Sequence, residues 1–206
     1  MEPKEFFFEE RDSIVQTLRS LTPEQWDAPS LCDGWRVRDV AGHMVTGFEM
    51  SLPKVLTKTA LAGFNVSKAS AKAGVETGSR PTEQLIRALE SPTELCGFAK
   101  VIGYTKLIPD VTIHHEDIRR AVGLAPHEVP AERMKFALGT LRKDTGPLKA
   151  KKRSQGLRLV ATDIDWAEGE GPEVRGPALS LLLAMGGRAA GLDECEGDGV
   201  AMLRAR

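Results

Sequence analysis

The sequence has few aromatic residues, few cysteines and no long apolar run, and each shortage excludes a class of protein. Aromatic residues make up 5% of the 206 residues, so the core must be largely aliphatic, a composition that favours helices over a large β-sandwich. Cys32, Cys96 and Cys195 are an odd number of cysteines at wide spacing, which is typical of free thiols in a reducing compartment. We therefore expect a cytoplasmic protein with no disulfide framework.

The charge and the hydropathy pattern exclude two kinds of partner. The formal net charge is −1, and the short basic run from Lys149 to Arg153 indicates a solvated linker, so nucleic acid is not an expected partner. No stretch approaches the roughly 20 apolar residues that a membrane-spanning helix needs. The N-terminal "MEPKEFFFEERDS" also lacks the apolar core of a signal peptide. The sequence thus predicts a soluble protein with no membrane partner.

Hydrophobic periodicity predicts a helical bundle in the first part of the chain. A short helix is expected at "LTPEQW", with Thr22 as N-cap, Pro23 at the first helical position and Gln25 completing a capping box. Residues 57–80 have weak periodicity and are predicted to be a mobile connection with one or two helical turns. Five longer segments have helical periodicity: Glu5 to Arg19, a stretch beginning near Val37, "RPTEQLIRALE", Ile108 to Val122 and "VPAERMKFALGTL".

The composition changes after Asp144, where a linker-like stretch precedes a segment of a different kind. "LRLVATDIDW" alternates as a strand does. "GPEVRG" is predicted to be a returning strand or turn, "PALSLLLAMGGRAAG" a short helix, and "GVAMLRAR" a last strand or tail. We expect a mainly α protein, with a helical bundle over residues 1–148 and a small α+β domain over residues 155–206.

Three polar residues are placed where a helical bundle could hold a metal ion. Asp110 and His114 are four residues apart and therefore on the same side of one helix, and His43 lies near the buried face of another. Helices of a bundle commonly supply such ligands. Imidazole with carboxylate suits zinc, iron, nickel or manganese. Asp117, one turn further on, could orient a ligand from behind.

Other interpretations of these residues stay open. A histidine with nearby acids is often a polar helix end or a hydrogen-bonded pair in the core. His115 points about 100° away from His114, so we expect it at the surface or behind a ligand, and His127 is expected in a loop. Cys32 is expected to be structural rather than nucleophilic. Gly42 and Gly47, on either side of His43, would let another helix or a ligand approach closely.

Three segments together resemble one known family. "LTPEQWDAPSLCDGWRVRDVAGHMVTG", "IPDVTIHHEDIRRAVG" and "GLRLVATDIDWAEGEGPEVRGPALSLLLAMGGRAAG" occur in that order and resemble the mycothiol-dependent maleylpyruvate isomerase family, part of the DinB-like metalloprotein superfamily. The resemblance implies a DinB-like bundle with a four-helix core. It also implies that His43, Asp110 and His114 are the metal ligands. The isomerases carry Glu where this chain has Asp110, a difference that bears on the metal and on the reaction.

The resemblance further implies an enzyme that uses a divalent metal and the thiol mycothiol. Zinc is the leading metal, with nickel, iron and manganese as alternatives. A thiolate that adds reversibly to a conjugated double bond would permit cis–trans isomerisation, and one that displaces a leaving group would give an S-transferase. By the same resemblance Arg188 contacts an anionic substrate or the thiol. A helix-end arginine facing water is the alternative.

The expected partners are a small electrophilic substrate and the thiol, and a homodimer is left open. A non-catalytic metal-binding bundle with a stress or sensing role is the competing function. A fourth protein ligand that closes the metal site would favour that role, whereas open coordination positions would favour an enzyme.

Overall fold

The computed structural model describes residues 2–206, which form a mainly helical protein with a small three-stranded sheet near the C-terminus. The chain divides into two compact units, Met1–His127 and Glu128–Arg206. The segment "VPAERMKFALGTL", which the sequence analysis assigned to the bundle, lies in the second unit by this division. No helix among the described residues combines the length and the apolar character that crossing a membrane requires.

The first unit consists of eight α-helices and a closing 3₁₀ turn at Arg120–Val122. The first helix packs against the sixth and the eighth, and the third packs against the fifth, sixth, seventh and eighth. Phe7, Leu18 and Ile108 are among the fully buried side chains of this core. The helices are α1 (Pro3–Ser20), α2 (Pro23–Asp27), α3 (Val37–Glu49), α4 (Leu52–Leu61), α5 (Val66–Gly78), α6 (Thr82–Glu90), α7 (Gly97–Ile102) and α8 (Tyr104–Arg119).

The start of α2 follows the predicted capping chemistry. The Thr22 side chain accepts a hydrogen bond from the Gln25 backbone N–H at 3.3 Å, and the Gln25 side chain accepts one from the Thr22 N–H at 2.9 Å. This reciprocal pair satisfies two backbone donors that the first turn of a helix leaves without a partner. The prediction of a helix at "LTPEQW" is confirmed.

The segment predicted to be a mobile connection is instead helical, and that prediction is wrong. Residues 57–80 include the end of α4 and all of α5, and α5 packs closely on α3. Its buried face consists of small residues, which give little hydrophobic periodicity although they allow close packing. A Cβ atom at Gly42 would lie 2.3 Å from the Gly78 nitrogen and 2.4 Å from the Gly74 oxygen. The predicted close approach of another helix at Gly42 is therefore confirmed.

The second unit combines five short helices with the sheet. The central strand is β1 (Arg158–Ala161). It pairs antiparallel with β2 (Ala167–Glu168) on one side and parallel with β3 (Glu173–Gly176) on the other. One helix, Ala178–Met185, buries all its residues. The elements are α9 (Ala131–Arg142), α10 (Ala150–Arg153), β1 (Arg158–Ala161), β2 (Ala167–Glu168), β3 (Glu173–Gly176), α11 (Ala178–Met185), α12 (Ala189–Leu192) and α13 (Val200–Arg204).

The C-terminal segment "GVAMLRAR" forms helix α13, so the prediction of a last strand or tail is wrong. Leu203 is its one buried residue, and the Gly199 N–H that precedes it donates to the Glu173 carbonyl at 2.7 Å. Five residues are too few for their periodicity to distinguish a helix from a strand.

Candidate metal centre

The structure brings together the three residues predicted as metal ligands. His43 comes from α3, and Asp110 and His114 come from α8, which packs against α3. Their ligand atoms all lie within 4.8 Å of one another. Asp110 Oδ1 is 3.8 Å from His114 Nε2, and the rings of His43 and His114 are 4.9 Å apart at 70°. Two helices therefore present two imidazoles and one carboxylate to a common point.

The remaining nitrogen of each imidazole has its own hydrogen-bond partner. His114 Nδ1 is 2.9 Å from Asp117 Oδ2, as expected for an aspartate that orients a ligand from behind. His43 Nδ1 is 3.1 Å from Ser70 Oγ. These contacts leave the Nε2 atoms for the common point, an arrangement usual among metal-ligating histidines. Sequence reasoning missed Ser70 because it lies in the segment predicted to be mobile.

The electrostatics of the site favour a positive charge. Burial lowers the pKa of His114, but the nearby carboxylate of Asp110 and the hydrogen bond to Asp117 outweigh it and raise that pKa to about 10. The side chain of His114 is 8% exposed and that of Asp110 is 35% exposed, so the carboxylate lies where solvent reaches the site. The carboxylates can stabilise either a proton on His114 or a metal cation.

The donor set fits a divalent cation. Two ligands that bind one zinc ion at about 2.0–2.2 Å are roughly 3–3.6 Å apart in tetrahedral or octahedral geometry. The 3.8 Å between Asp110 and His114 is too long for a direct hydrogen bond and is close to that range. Among residues 2–206, no fourth His, Cys, Asp or Glu belongs to this group. A metal ion held by these three donors would have coordination positions left for water or substrate.

Cys32 and Trp35 border the site on the loop before α3. Cys32 Sγ donates to Asp117 Oδ2 at 3.0 Å and lies 3.9 Å from His114 Nδ1. Cys32 therefore lies on the Nδ1 side of the His114 imidazole, whereas Asp110 lies on the Nε2 side. The ring of Trp35 is 5.2 Å from the ring of His43 and 6.3 Å from that of His114. An indole at this distance provides an apolar wall beside the polar donors.

His115 and His127 belong to a second cluster, which we call the buried histidine cluster and define as Glu10, His115, Glu116 and His127. His115 Nδ1 and His127 Nε2 each lie 2.8 Å from Glu10 Oε1. His127 Nδ1 is 2.7 Å from Glu116 Oε1. His115 is fully buried, so of the two positions expected for it, the surface is wrong. His127 lies in a loop as expected, but it is buried as well.

The contacts in the buried histidine cluster are shorter than the one between Asp110 and His114. The cluster's separations of 2.7–2.8 Å are hydrogen-bond lengths, unlike the 3.8 Å in the metal site. Burial lowers the pKa of His127, but hydrogen bonds to Glu10 and Glu116 outweigh it and raise that pKa to about 8. Burial also lowers the pKa of His115. The structure therefore supports a charged His127 between two carboxylates, with a neutral His115 beside Glu10.

Arg188 lies in the second unit, between α11 and α12. Its Nη1 donates to the Gly186 carbonyl at 2.8 Å, and its backbone N–H donates to the Leu183 carbonyl at 2.9 Å. The second contact is typical of a residue that ends a helix. An anion-binding role for Arg188 stays a prediction.

Comparison with solved structures identifies the fold. Two crystal structures of the mycothiol-dependent maleylpyruvate isomerase resemble this chain over 95% of its length and 91% of theirs. A histidine-to-alanine mutant gives a TM-score of 0.61 at 13% identity, and a second structure gives 0.53 at 10% identity. The chain thus has the maleylpyruvate isomerase fold, mainly helical with the small sheet near the C-terminus.

The sequence comparison agrees for the N-terminal part of the chain. Residues 7–94 match the family described as the mycothiol maleylpyruvate isomerase N-terminal domain. No curated protein matches the chain significantly. Residues 7–94 therefore resemble this domain family, and the resemblance proposed from the sequence is confirmed for that part of the chain.

Proposed function

We propose that this protein is a metal-dependent enzyme that uses a low-molecular-weight thiol of the mycothiol type. Its reaction is cis–trans isomerisation of a small electrophilic substrate or transfer of the thiol to it. The observation that carries the proposal is the three-donor site of His43, Asp110 and His114, with its open coordination positions. The family domain and the fold support the same thiol.

His43, Asp110 and His114 would hold the metal, with zinc as the leading candidate. A divalent metal bound by two neutral imidazoles and one carboxylate keeps net positive charge, and it supplies Lewis acidity that favours the thiolate form of a thiol at neutral pH. Glu is the family's residue at position 110, and Asp is one methylene shorter. The carboxylate of Asp110 therefore extends less far from the backbone than the Glu that the resemblance implies at this position.

The other residues of the site orient the ligands and border them. Asp117 and Ser70 accept hydrogen bonds from the imidazoles and fix their orientation. Trp35 provides an apolar surface for the carbon skeleton of a substrate and excludes water from that side. Arg188 remains the predicted binding residue for an anionic group.

The metal content of purified, untagged protein is the first test. We expect about one equivalent of a divalent metal in the wild type, because one site with three ligands binds one ion. His43→Ala and His114→Ala should lose it. Asp12→Ala changes an exposed acid of α1 and should retain it. Metal in the wild type and in both histidine variants alike would contradict the ligand assignment.

A second assay separates an enzyme from a metal-binding protein without activity. The metal-loaded protein is mixed with a thiol and a panel of small electrophiles, and the disappearance of thiol and the isomerisation of a cis-conjugated acid are followed. The proposal expects turnover by the wild type and none by His114→Ala. Stoichiometric metal with no thiol-dependent turnover would favour the non-catalytic role.

A further inference from the structure

Helix α4 and the segment that follows it expose a cluster of large apolar side chains. Of the eight large hydrophobic residues that are exposed among residues 2–206, five lie within residues 52–66. Helix α4 buries none of its residues. Single exposed apolar residues are ordinary, but a concentration of this kind marks an interaction surface. We call the five residues the apolar patch: Leu52, Leu56, Leu61, Phe64 and Val66.

The most exposed members of the apolar patch lie at the end of α4 and just beyond it. Leu61 is 83% exposed and Phe64 is 82% exposed. Phe64 has a φ of 61°, in the left-handed region that bulky side chains rarely adopt. Its N–H donates to the Thr59 carbonyl at 2.9 Å, which fixes the turn. The backbone thus adopts a costly conformation at a residue whose ring faces solvent.

The same part of the chain carries a positive charge. Residues 51–80 contain five basic residues and one acidic residue, a net charge of +4, within a chain whose net charge is −1. Lys58 pairs with the one acid, Glu76, at 2.6 Å, and Arg80 pairs with Glu49, which lies just before this stretch, at 2.6 Å. Lys54, Lys68 and Lys72 are exposed. An apolar surface accompanied by lysines is complementary to a partner that is apolar and anionic.

We propose that the apolar patch and its lysines dock the protein on the surface of an anionic phospholipid bilayer. Apolar side chains at a membrane surface enter the acyl boundary, and lysines beside them meet the anionic headgroups. Each exposed lysine near an anionic membrane adds to the attraction. The contact is peripheral and involves no membrane-spanning helix.

A second copy of the chain is a poorer occupant of this surface. Symmetric pairing would bring two segments of charge +4 against each other, and like charges across an interface are unfavourable. The proposal departs from the sequence-based expectation of no membrane partner, which rested on the lack of a spanning segment. It is independent of the metal site and of the proposed reaction.

Co-sedimentation of the full chain with vesicles tests the proposal. Vesicles of phosphatidylcholine with one third phosphatidylglycerol are compared with pure phosphatidylcholine. We expect binding to the anionic vesicles, with a loss of about fivefold for each of Lys54→Ser and Lys68→Ser. Leu56→Ser combined with Phe64→Ser should reduce binding about tenfold or more, since burial of such side chains is lost. Met202→Ser, at a residue 39% exposed in α13, is the matched control and should bind as the wild type does.

Several outcomes would overturn the proposal. Equal binding to both vesicle types would remove the role of charge, and binding unaffected by the patch variants would place the contact elsewhere. No sedimentation with either vesicle, together with a dimer that Leu56→Ser and Phe64→Ser dissociate in analytical ultracentrifugation, would assign the surface to a second copy. A monomer that binds no vesicle would refute a docking role. Because these side chains face solvent, the variants should keep the wild-type melting temperature.

Discussion

The charged His127 should make the stability of the protein depend on pH between about 6 and 9. The pKa of its imidazole rises from 6.5 to about 8 on folding, because Glu10 and Glu116 hold its proton more tightly than water does. Each pKa unit corresponds to about 1.4 kcal/mol, so a rise of about 1.5 units gives about 2 kcal/mol of stabilisation. Its side chain is 4% exposed, so solvent screening reduces this little.

The sign follows from linkage between proton binding and folding. The folded state binds the proton more tightly, so the stabilisation is complete below pH 6.5 and is lost as the pH rises through about 8. The groups that face His127 keep the same charge throughout this pH range. Glu10 and Glu116 have lowered pKa values and stay ionised, His115 has a lowered pKa and stays neutral, and Arg120, which pairs with Glu116 at 2.8 Å, keeps its charge.

Urea denaturation of the metal-free protein at pH 6 and pH 9 measures the effect. His127→Gln keeps hydrogen-bond donors but cannot titrate. The free energy of unfolding of the wild type, minus that of the variant, should fall by about 2 kcal/mol between the two pH values. Subtraction removes the titration of groups that both proteins share. A difference that stays constant from pH 6 to pH 9 would refute a charged His127 in the folded state.

Two further predictions concern the packing and orientation of the site. Gly42→Ala should cost about 1–3 kcal/mol or more in urea denaturation, because its Cβ atom overlaps the α5 backbone. Gly47→Ala, whose Cβ atom would lie 3.9 Å from Ala99, is the matched control and should be neutral or stabilising, so equal losses at both glycines would contradict the packing argument. Ser70→Ala should weaken metal affinity about 10–100-fold by releasing the His43 imidazole, as measured by competition with a chromophoric chelator. An affinity equal to that of the wild type would remove Ser70 from the site.

The sequence predicted those parts of the fold whose patterns are local and strong. The capping box at Thr22 and Gln25 fixed the start of α2, and spacing by four placed Asp110 and His114 on one face of α8. The same reasoning failed for α5 because its buried face is made of glycine, alanine and one threonine. Such residues contribute little to a hydrophobic pattern, although their small size is what allows the close contact with α3. Ser70 was missed with the helix that carries it.

The buried histidine cluster could not be predicted for a different reason. Its members come from α1, α8 and the loop at His127, and only the tertiary fold brings them together. Glu10 and His115 are 105 residues apart in the sequence. The residues next to Glu10 do not distinguish it from a surface acid. Sequence reasoning therefore placed His115 at the surface or behind a metal ligand, and did not predict its contact with Glu10.

Adjacent histidines on α8 have different roles because one helical step turns them to different neighbours. His114 faces Asp110 across 3.8 Å, a gap that leaves room for an ion, whereas His115 meets Glu10 at 2.8 Å, where a shared proton completes the contact. Both sites combine imidazole with carboxylate, so residue type alone does not separate them. What separates them is that His114 lies beside a partly exposed carboxylate and His115 beside a fully buried one. The partly exposed carboxylate of Asp110 leaves the site at His114 open to an ion from solvent, which supports that site as the proposed metal site.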